Sequence, residues 1–409
     1  MPAFQLSPSM LQGPSETPTQ IIDSALRAIR EHLGMPIAYL SEFVGGRSVY
    51  RHVDAPGLES LIRPGDSQSL AEVYCPHILE GRLPEMIPDT SAFEITRNMP
   101  ITRTVPIGSH LSIPIRLPDG TPYGMFCCLS PEPNPSLNHR DLDTMRLFAN
   151  LAARQVYIQY EHTRQMEEKR NRIEDALKQQ SFAIAYQPIV DLSAMEPSGY
   201  EALCRFAAEP YRSPDVWFDE AAAVGLSVEL ELASIQQAVS KLDQIAPHQY
   251  ISVNASPATI MSNRFVETFM RMPLSRIVLE ITEHAIVEDY DAFTDILAPL
   301  RERGLRIAVD DAGAGHSSLR HIVQLSPDYV KVDMSLTRNV DGDLARRALI
   351  GALLFYTRET SAQIIAEGIE TQAELQTLKL LGVRRGQGYL LGRPVQSISN
   401  ELPPLNKAS

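Results

Sequence analysis

Oxygen-bearing side chains recur at the ends of successive predicted strands in the second half of this 409-residue chain. They lie in otherwise apolar stretches, as Glu280 does between Leu279 and Ile281. The set consists of Glu201, Asn254, Glu280, Asp310, Asp311 and Glu367, with Lys331 and Gln387 in equivalent positions. In a barrel of parallel strands the same strand ends meet at one rim, where active sites are built. The pattern therefore predicts one centre that is rich in carboxylates.

Five carboxylates gathered in one place would repel one another and raise their own pKa values unless cations lay among them. Oxygen ligands with one amide, and with neither cysteine nor clustered histidine, favour Mg²⁺ or Mn²⁺ over zinc. The adjacent Asp310 and Asp311 can direct one carboxylate between two ions and the other at the second ion. Two metals about 3.5–4 Å apart clamp the attacking and leaving oxygens of a displacement at phosphorus. The alternative is a chance grouping of buried structural acids.

Strand-like and helix-like segments alternate from Phe182 onward. The strand candidates are 183–190, 198–206, 250–255, 276–282, 305–310, 329–333, 363–366 and 387–391. Helical patterns separate most of them, at 235–244, 265–272, 291–303, 346–358 and 372–381. Eight strands alternating with helices predict an α/β fold, a (β/α)8 TIM-like barrel. A doubly wound open sheet is the competing fold, but it usually carries a glycine-rich phosphate loop, and the sequence contains no GxGxxG.

The first part of the chain has the pattern of a smaller α+β domain. Apolar residues at helical spacing run from Thr19 to Leu33, and Gly34 ends the helix. Alternating segments follow at 38–43, 48–53, 110–116 and 123–129, and Leu117-Pro118-Asp119-Gly120 has the composition of a hairpin turn. We predict a domain at 19–157 that follows a disordered tail at 1–18.

A helix that begins near His139 is predicted to continue past this domain, because neither proline nor glycine occurs from Asp141 to Gln180. Its charged end predicts a linker helix at 158–180 that packs against its twin in a homodimer. The heptad pattern is too short to establish a coiled coil. An exposed capping helix is the alternative.

Composition excludes several classes of protein. The formal net charge is −13, whereas binding of nucleic-acid polymers requires a basic face. The four cysteines show no CxxC spacing, which favours reduced, buried thiols. The sequence contains no run of eighteen apolar residues, so we expect no membrane span. The first residues also lack the features of a signal peptide. The expected location is therefore the cytoplasm.

Seven ordered motifs between residues 173 and 394 resemble the EAL domain. They are Tyr186-Gln187-Pro188-Ile189-Val190, Glu201-Ala202-Leu203 with Arg205, Asn254 with Ser256, Glu280 with Glu283, Asp310-Asp311, Lys331 with Asp333, and Glu367-Gly368 with Gln387-Gly388-Tyr389. Any one motif is weak evidence, whereas the ordered set is specific. The resemblance implies a barrel at 173–403 that hydrolyses the bacterial second messenger cyclic di-GMP to linear pGpG. No segment resembles the GGDEF domain that would synthesise the messenger.

The resemblance also implies a role for each matching residue. The first metal ion would be held by Glu201, Asn254, Glu280 and Asp310. The second would be held by Asp310 and Asp311, with Glu367 nearby through water. Lys331 would hold the attacking water, and Glu283 would brace the loop that carries the two aspartates. The substrate would be held by Gln187, Arg205 and Gln387.

Some positions depart from the family pattern. The loop after the aspartates has Ala312, Ala314 and His316 where Phe, Thr and Tyr are frequent, which puts regulatory coupling in doubt more than chemistry. Acids are replaced at two positions, Ala222 and Ala223, and Arg384-Arg385 stands where an acid is common. None of these changes removes a predicted metal ligand.

Residues 19–157 resemble the GAF domain, a sensory module built on a central sheet. The resemblance rests on the element layout and on stretches such as Tyr74-Cys75-Pro76 and Tyr123-Gly124-Met125-Phe126-Cys127-Cys128. Pro76 follows Cys75 where bilin-binding members carry histidine, so a buried or redox-responsive thiol is expected rather than a chromophore attachment site. The resemblance implies regulation by a ligand that the sequence does not identify.

A receptor that binds cyclic di-GMP without cleaving it is the alternative function. Receptors of this kind usually lack metal ligands or the lysine, and the sequence retains all of them. A protein-interaction scaffold driven by the first domain is a third hypothesis.

Overall fold

The computed structural model describes residues 17–208, 210–281, 287, 289–312 and 318–398, with the backbone alone at 318 and 319. The chain forms two compact units that divide between Gln165 and Met166. No helix in the described part is both long and apolar enough to cross a membrane.

The first unit contains a six-stranded antiparallel sheet. Its strands are β1 (Ile37–Val44), β2 (Arg47–Asp54), β3 (Ser67–Ser69), β4 (Met86–Ile87), β5 (Ser109–Arg116) and β6 (Pro122–Ser130), in the spatial order β3-β2-β1-β6-β5-β4. Its helices are α1 (Pro18–Leu33), α2 (Cys75–Leu79), α3 (Glu94–Asn98), α4 (Ile101–Thr104) and the beginning of α5 (His139–Gln179). The predicted α+β fold is confirmed, and the predicted hairpin joins β5 to β6.

Capping residues set both ends of helix α1. Thr17 and Gln20 form a capping box, and Gly34 closes the helix in the left-handed conformation at φ 61°. One face of the sheet is covered by apolar residues of α1 and α5, such as Ile22 and Met145. The other face packs against the short helices α2 and α4. Burial on both faces explains why β6 is apolar over most of its length.

Helix α5 is continuous over 41 residues. Its first half contributes Leu142, Ala149, Ala152 and Val156 to the core of the first unit. The continuity follows from the lack of proline and glycine, because both residues interrupt helices.

The second unit is a closed eight-stranded barrel. Its strands are β7 (Phe182–Asp191), β8 (Glu196–Phe206), β9 (Tyr250–Asn254), β10 (Ile277–Ile281), β11 (Arg306–Ala312), β12 (Tyr329–Val332), β13 (Gln363–Ala366) and β14 (Arg385–Gly386). The helices around it are α6 (Pro214–Ala223), α7 (Ser227–Val239), α8 (Pro257–Ile260), α9 (Asn263–Phe269), α10 (Tyr290–Glu302), α11 (Ser318–Leu325), α12 (Met334–Thr337), α13 (Leu344–Thr360) and α14 (Gln372–Leu381). The barrel confirms the predicted TIM-like fold and excludes the open sheet.

The first barrel strand departs from a regular (β/α)8 arrangement. Strand β7 pairs antiparallel with both β8 and β14, whereas the other neighbouring strands are parallel. A tight turn joins β7 to β8, in which Asp191 accepts hydrogen bonds from the amides of Ser193 and Ala194. Such a short connection permits only antiparallel pairing.

The last strand was predicted wrongly at 387–391, because β14 is Arg385–Gly386 and the chain turns immediately afterwards. The amides of Leu391 and Gly392 both donate to the carbonyl of Gly388. A Cβ atom at Gly388 would lie 2.2 Å from backbone atoms of Ile369, so only glycine permits this approach. The apolar residues after Gly388 therefore have the sequence pattern of a strand, although they form a turn.

Two arginines and two tyrosines fill the end of the barrel where the parallel strands begin. The Arg306 guanidinium lies 4.7 Å from the ring centroid of Tyr250, and that of Arg385 lies 5.3 Å from Tyr329. The two rings stack at 5.7 Å. Cation–π contacts of this kind are stabilising when they are desolvated. They give Arg385 a structural role in the barrel interior.

Candidate metal centre

The carboxylates of the barrel are brought together by strand register. Glu280 on β10 pairs with Asn254 on β9, and Glu201 on β8 pairs with Ser252 of the same strand β9. Because side chains on a strand alternate between its faces, Ser252 and Asn254 project to the same side. Glu280 is completely buried and Glu201 is 7% exposed. These strands therefore present their polar side chains to one interior region.

A bulge in β11 allows two consecutive aspartates to serve one site. The register between β11 and β12 shifts between Val309 and Ala312, and Asp311 adopts a left-handed φ of 54°. The backbone amide of Asp311 donates to the Asp310 carboxylate at 2.9 Å. Neighbouring residues on a regular strand would face opposite sides, and a bulge re-aims one of them. The unusual backbone is thus the feature that places both carboxylates together.

The acids form two groups that share Asp310. Carboxylate oxygens of Glu201, Glu280 and Asp310 lie within 4.8 Å of one another, and so do those of Asp310, Asp311 and Glu367. The Asn254 side-chain amide lies 3.5 Å from the Glu201 carboxylate. The structure therefore brings together every predicted metal ligand and also Glu367.

Lys331 lies at the centre of the acids and is 1% exposed. Its ammonium nitrogen is 2.8 Å from the carboxylates of both Glu280 and Glu367, 3.0 Å from that of Asp310, and 3.7 Å from that of Glu201. One positive charge thus faces four carboxylates. The predicted catalytic lysine contacts the same oxygens that the sequence assigns to metal ions.

The pKa values of these groups reflect burial and crowding. Burial raises the pKa of Glu280 to about 8 against the lowering effect of Lys331, and Glu201 and Asp310 raise it further. Burial also raises the pKa of Glu367 well above its usual range. For Lys331, burial favours the neutral amine, but the surrounding carboxylates outweigh it and raise the pKa well above its ordinary value. Among the residues that the structure describes, a single ammonium group therefore faces four carboxylates.

A layer of neutral polar groups holds the acids. Ser252 donates to Glu280 at 2.5 Å, and Gln387 donates to Glu201 at 2.6 Å. Gln387 also donates to Gln187, whose amide donates to the Gly392 carbonyl at 3.1 Å. Ser252 was not predicted from the sequence, although its position two residues before Asn254 on one strand was a usable signal. The two glutamines predicted to hold substrate contact each other, and Gln387 contacts Glu201.

A cleft of about 650 Å³ opens beside the acids. It is lined by Arg205 and Asn254, and its wall carries Tyr211, Phe218 and Asp215. Gln187 and Gln387 do not line it, so the predicted substrate-binding residues occupy two different environments. Arg205 alone of the three faces the cleft.

An ion-pair network supports the cleft wall. Arg172, near the end of α5, donates two hydrogen bonds to Glu220 of α6, at 2.9 and 3.0 Å. Arg212 reaches the same carboxylate at 2.8 Å from the segment that carries Tyr211. A carboxylate held by two guanidinium groups restricts the segment between them. These residues were not predicted from the sequence, because they are distant from one another along the chain and belong to no motif.

Several predicted residues lie outside the described part of the chain. Glu283, which was expected to brace the aspartate loop, is one of them, and so are Ala314 and His316. Ala312 is described, and it is buried at the end of β11.

The donor set fits divalent cations that prefer oxygen. It offers carboxylates and one amide oxygen, in two groups with a common member, as a pair of hard cations requires. The excess of negative charge around Lys331 would be neutralised by such ions. The buried side-chain oxygen of Gln387, beside Glu201, also has no hydrogen-bond partner among the residues that the structure describes. The geometry thus supports a divalent metal site.

Family models agree with the fold and the site. The model of the EAL domain matches residues 170–394, and that of the GAF domain matches residues 17–156. The first match covers more than half of the chain. The chain therefore belongs to the EAL-domain family, and a GAF domain precedes its barrel.

Relatives resemble the barrel at modest identity. "Probable cyclic di-GMP phosphodiesterase PdeN" of Escherichia coli K12 is 29% identical over 233 residues, which are 54% of this chain and 45% of PdeN. "Cyclic di-GMP phosphodiesterase PA2567" of Pseudomonas aeruginosa is 29% identical over 228 residues, 53% of this chain and 39% of that protein. The chain spans less than half the length of these curated relatives. A solved structure named "PaMucR Phosphodiesterase, c-di-GMP complex" is 28% identical, covers 56% of this chain and 98% of its own, and has a TM-score of 0.51.

Replacing Lys331 by methionine should destabilise the barrel when divalent cations are removed. The substitution removes the ammonium group that pairs with the buried carboxylates in the described part of the chain, and we expect a loss of about 3–5 kcal/mol in the free energy of unfolding. Urea unfolding in EDTA can be followed by fluorescence of Trp217, the single tryptophan of the chain, which is buried in the second unit.

A control variant and the addition of metal complete the unfolding experiment on Lys331→Met. Lys178→Met removes an exposed ammonium that pairs with Glu174, and should cost less than about 0.5 kcal/mol. Excess Mg²⁺ should restore part of the stability that Lys331→Met removes. A loss below about 1 kcal/mol for Lys331→Met would contradict the charge balance described above.

Proposed function

We propose that the chain hydrolyses cyclic di-GMP to linear pGpG with two divalent cations, Mg²⁺ or Mn²⁺. The observation that carries the proposal is the sharing of Asp310 between two acid groups. Glu201, Asn254, Glu280 and Asp310 would hold one ion, and Asp310 and Asp311 the other, with Glu367 beside it. The named relatives support this choice of substrate. The cytoplasmic location predicted from the sequence belongs to the same proposal.

The residues of the chain have distinct tasks in this reaction. When bound, the ions supply positive charge and an activated water for attack at phosphorus. Carboxylates of Glu280, Asp310 and Glu367 lie within 3.0 Å of the Lys331 ammonium nitrogen and favour its protonated form. In this proposal Lys331 donates a hydrogen bond to the attacking water and stabilises the charge that develops on the phosphate. Glu283 remains the predicted brace of the aspartate loop.

The cleft beside the acids suits one guanylate unit of the substrate. Arg205 can donate two parallel hydrogen bonds to a phosphate, and Tyr211 and Phe218 offer aromatic faces for a base. The carboxylate of Asp215 can accept hydrogen bonds from the N–H edge of guanine. The role of Gln187 and Gln387 in substrate binding stays a prediction, since their amides contact each other in this structure.

Loss of the Glu201 carboxylate tests the proposal directly. With Mg²⁺ or Mn²⁺, the full chain should convert cyclic di-GMP to pGpG, and Glu201→Ala should lower the rate at least about 10³-fold. Glu359→Ala, which removes an exposed acid of α13, should leave the rate unchanged. Product formation is measured by chromatography of the nucleotides.

The same assay separates the proposal from its alternative. A receptor would bind cyclic di-GMP tightly in calorimetry and form no product with either metal. That outcome would reject the hydrolase. Retention of all predicted ligands and of Lys331 at the centre favours hydrolysis over binding alone.

The homodimer predicted from the sequence is supported by an apolar stripe on α13. Leu344 is 74% exposed and Phe355 68%, and the exposed Ala348 lies between them on the same helical face. An exposed apolar stripe of this kind marks a protein interface. A second copy of this chain is the partner that we propose, in an isologous contact.

Substitution of Phe355 by aspartate should convert the dimer to a monomer, because it places a charge in the apolar contact. Analytical ultracentrifugation of the full chain measures the change. Leu380→Asp is the matched control, since Leu380 is 88% exposed on α14, a different helix. A wild-type monomer, or a dimer that survives Phe355→Asp, would contradict this interface.

We also propose that the GAF domain regulates hydrolysis. The space between Tyr39, Tyr74, Cys75 and His110 is only about 20 Å³. A cavity of this size holds about one water molecule. The Cys75 thiol is buried there, and burial raises its pKa to about 12. Any ligand of this cavity must therefore displace side chains, which would couple its binding to the conformation of the domain.

A further inference from the structure

A second cleft lies at the opposite end of the barrel from the acids. It measures about 590 Å³ and is lined by Gln363 at the start of β13 and by Arg384 just before β14. The acids lie toward the other ends of the strands, since Glu280 is the last residue but one of β10 and Glu367 comes directly after β13. The four residues of β13 separate the two regions by about 13 Å. The cleft is therefore distinct from the proposed active site.

Three cationic side chains from three segments converge on this cleft. They are Arg358 of α13, Lys379 of α14, and Arg384 of the segment after α14. Among the described residues, no aspartate or glutamate lines the cleft. In the described part of the chain, none of the three cations has a hydrogen-bond or ion-pair partner. This concentration of unpaired positive charge occurs in a chain whose net charge is −13.

Helix ends explain only part of this arrangement. Arg358 and Lys379 belong to the last turns of their helices, where cations interact favourably with the helix dipole. Each helix end contributes about −0.5 charge, so the two ends offset about one of the three positive charges. Arg384 lies outside a helix and has no such explanation. About two positive charges remain available to a ligand.

The remaining lining defines the shape of the ligand. The floor is apolar, with Leu192, Leu354 and Val383, and hydroxyl groups of Ser193 and Ser361 lie at the edge. Apolar surface below a rim of cations suits a molecule that has an apolar or aromatic body and an anionic group. A phosphate monoester carries close to two negative charges at neutral pH. Its charge therefore balances the roughly two positive charges that remain after the two helix dipoles are subtracted from the three cations.

We infer that this cleft binds a phosphate monoester carried on an apolar or aromatic body, of which a nucleoside monophosphate is the representative class. In this site Arg384 would take part in binding the phosphate group, whereas its neighbour Arg385 packs inside the barrel. The inference does not depend on hydrolysis at the acidic centre.

Calorimetric titration of the full chain in EDTA tests the inference with three probes. Adenosine 5′-monophosphate should bind, whereas adenosine lacks the anion and inorganic phosphate lacks the body, and both should bind at least about tenfold more weakly. Arg384→Glu should weaken binding of adenosine 5′-monophosphate about tenfold or more. Lys379→Glu, a second variant at a separate position, should have the same effect.

Two control variants locate the binding. Arg271→Glu makes the same change of charge at an exposed position outside the cleft and should leave the affinity unchanged. Glu201→Ala alters the acidic centre and should also leave it unchanged. The inference is overturned if the wild-type chain does not bind adenosine 5′-monophosphate, if adenosine binds equally well, or if Arg384→Glu and Lys379→Glu have no effect.

Discussion

The barrel depends on the balance of charge around one buried ammonium group. Lys331 contacts carboxylates of Glu280, Asp310 and Glu367, and Glu201 lies nearby. Placing charges in a protein interior costs several kcal/mol for each ion unless opposite charges compensate. Among the described residues one ammonium faces four carboxylates, and burial, together with Glu201 and Asp310, raises the pKa of Glu280 to about 8 against the effect of Lys331. The arrangement is therefore unfavourable by itself and is suited to additional cations.

The rest of the barrel holds this centre in place. The bulge in β11 turns Asp310 and Asp311 toward the same region, at the cost of a left-handed residue. The approach of Gly388 to Ile369 fixes the turn from which Gln387 reaches Glu201. Both features are local to the backbone of one segment. Backbone geometry, and not only side-chain identity, therefore determines which oxygens can share an ion.

The grouping of the acids could be predicted from sequence because their identity and their position in or just after apolar strand segments are both local signals. Helix α14 was predicted with correct bounds for a similar reason, since its apolar period and caps lie within the segment. Contacts between residues that are far apart in sequence have no such local signal. The Gln387–Glu201 hydrogen bond joins residues far apart in sequence, and the opposite environments of Arg384 and Arg385 depend on the short strand β14. The antiparallel β7 was missed because periodicity carries no information on strand direction.

The sharing of Asp310 between two metal ions can be tested by counting the Mn²⁺ ions that the chain binds. Equilibrium dialysis of the full chain should give two ions per chain. Asp311→Asn should retain one ion, and Asp310→Ala should lose both, because Asp310 is the carboxylate that the two acid groups share. A wild-type chain that binds one ion, or an Asp310→Ala variant that still binds two, would contradict the account.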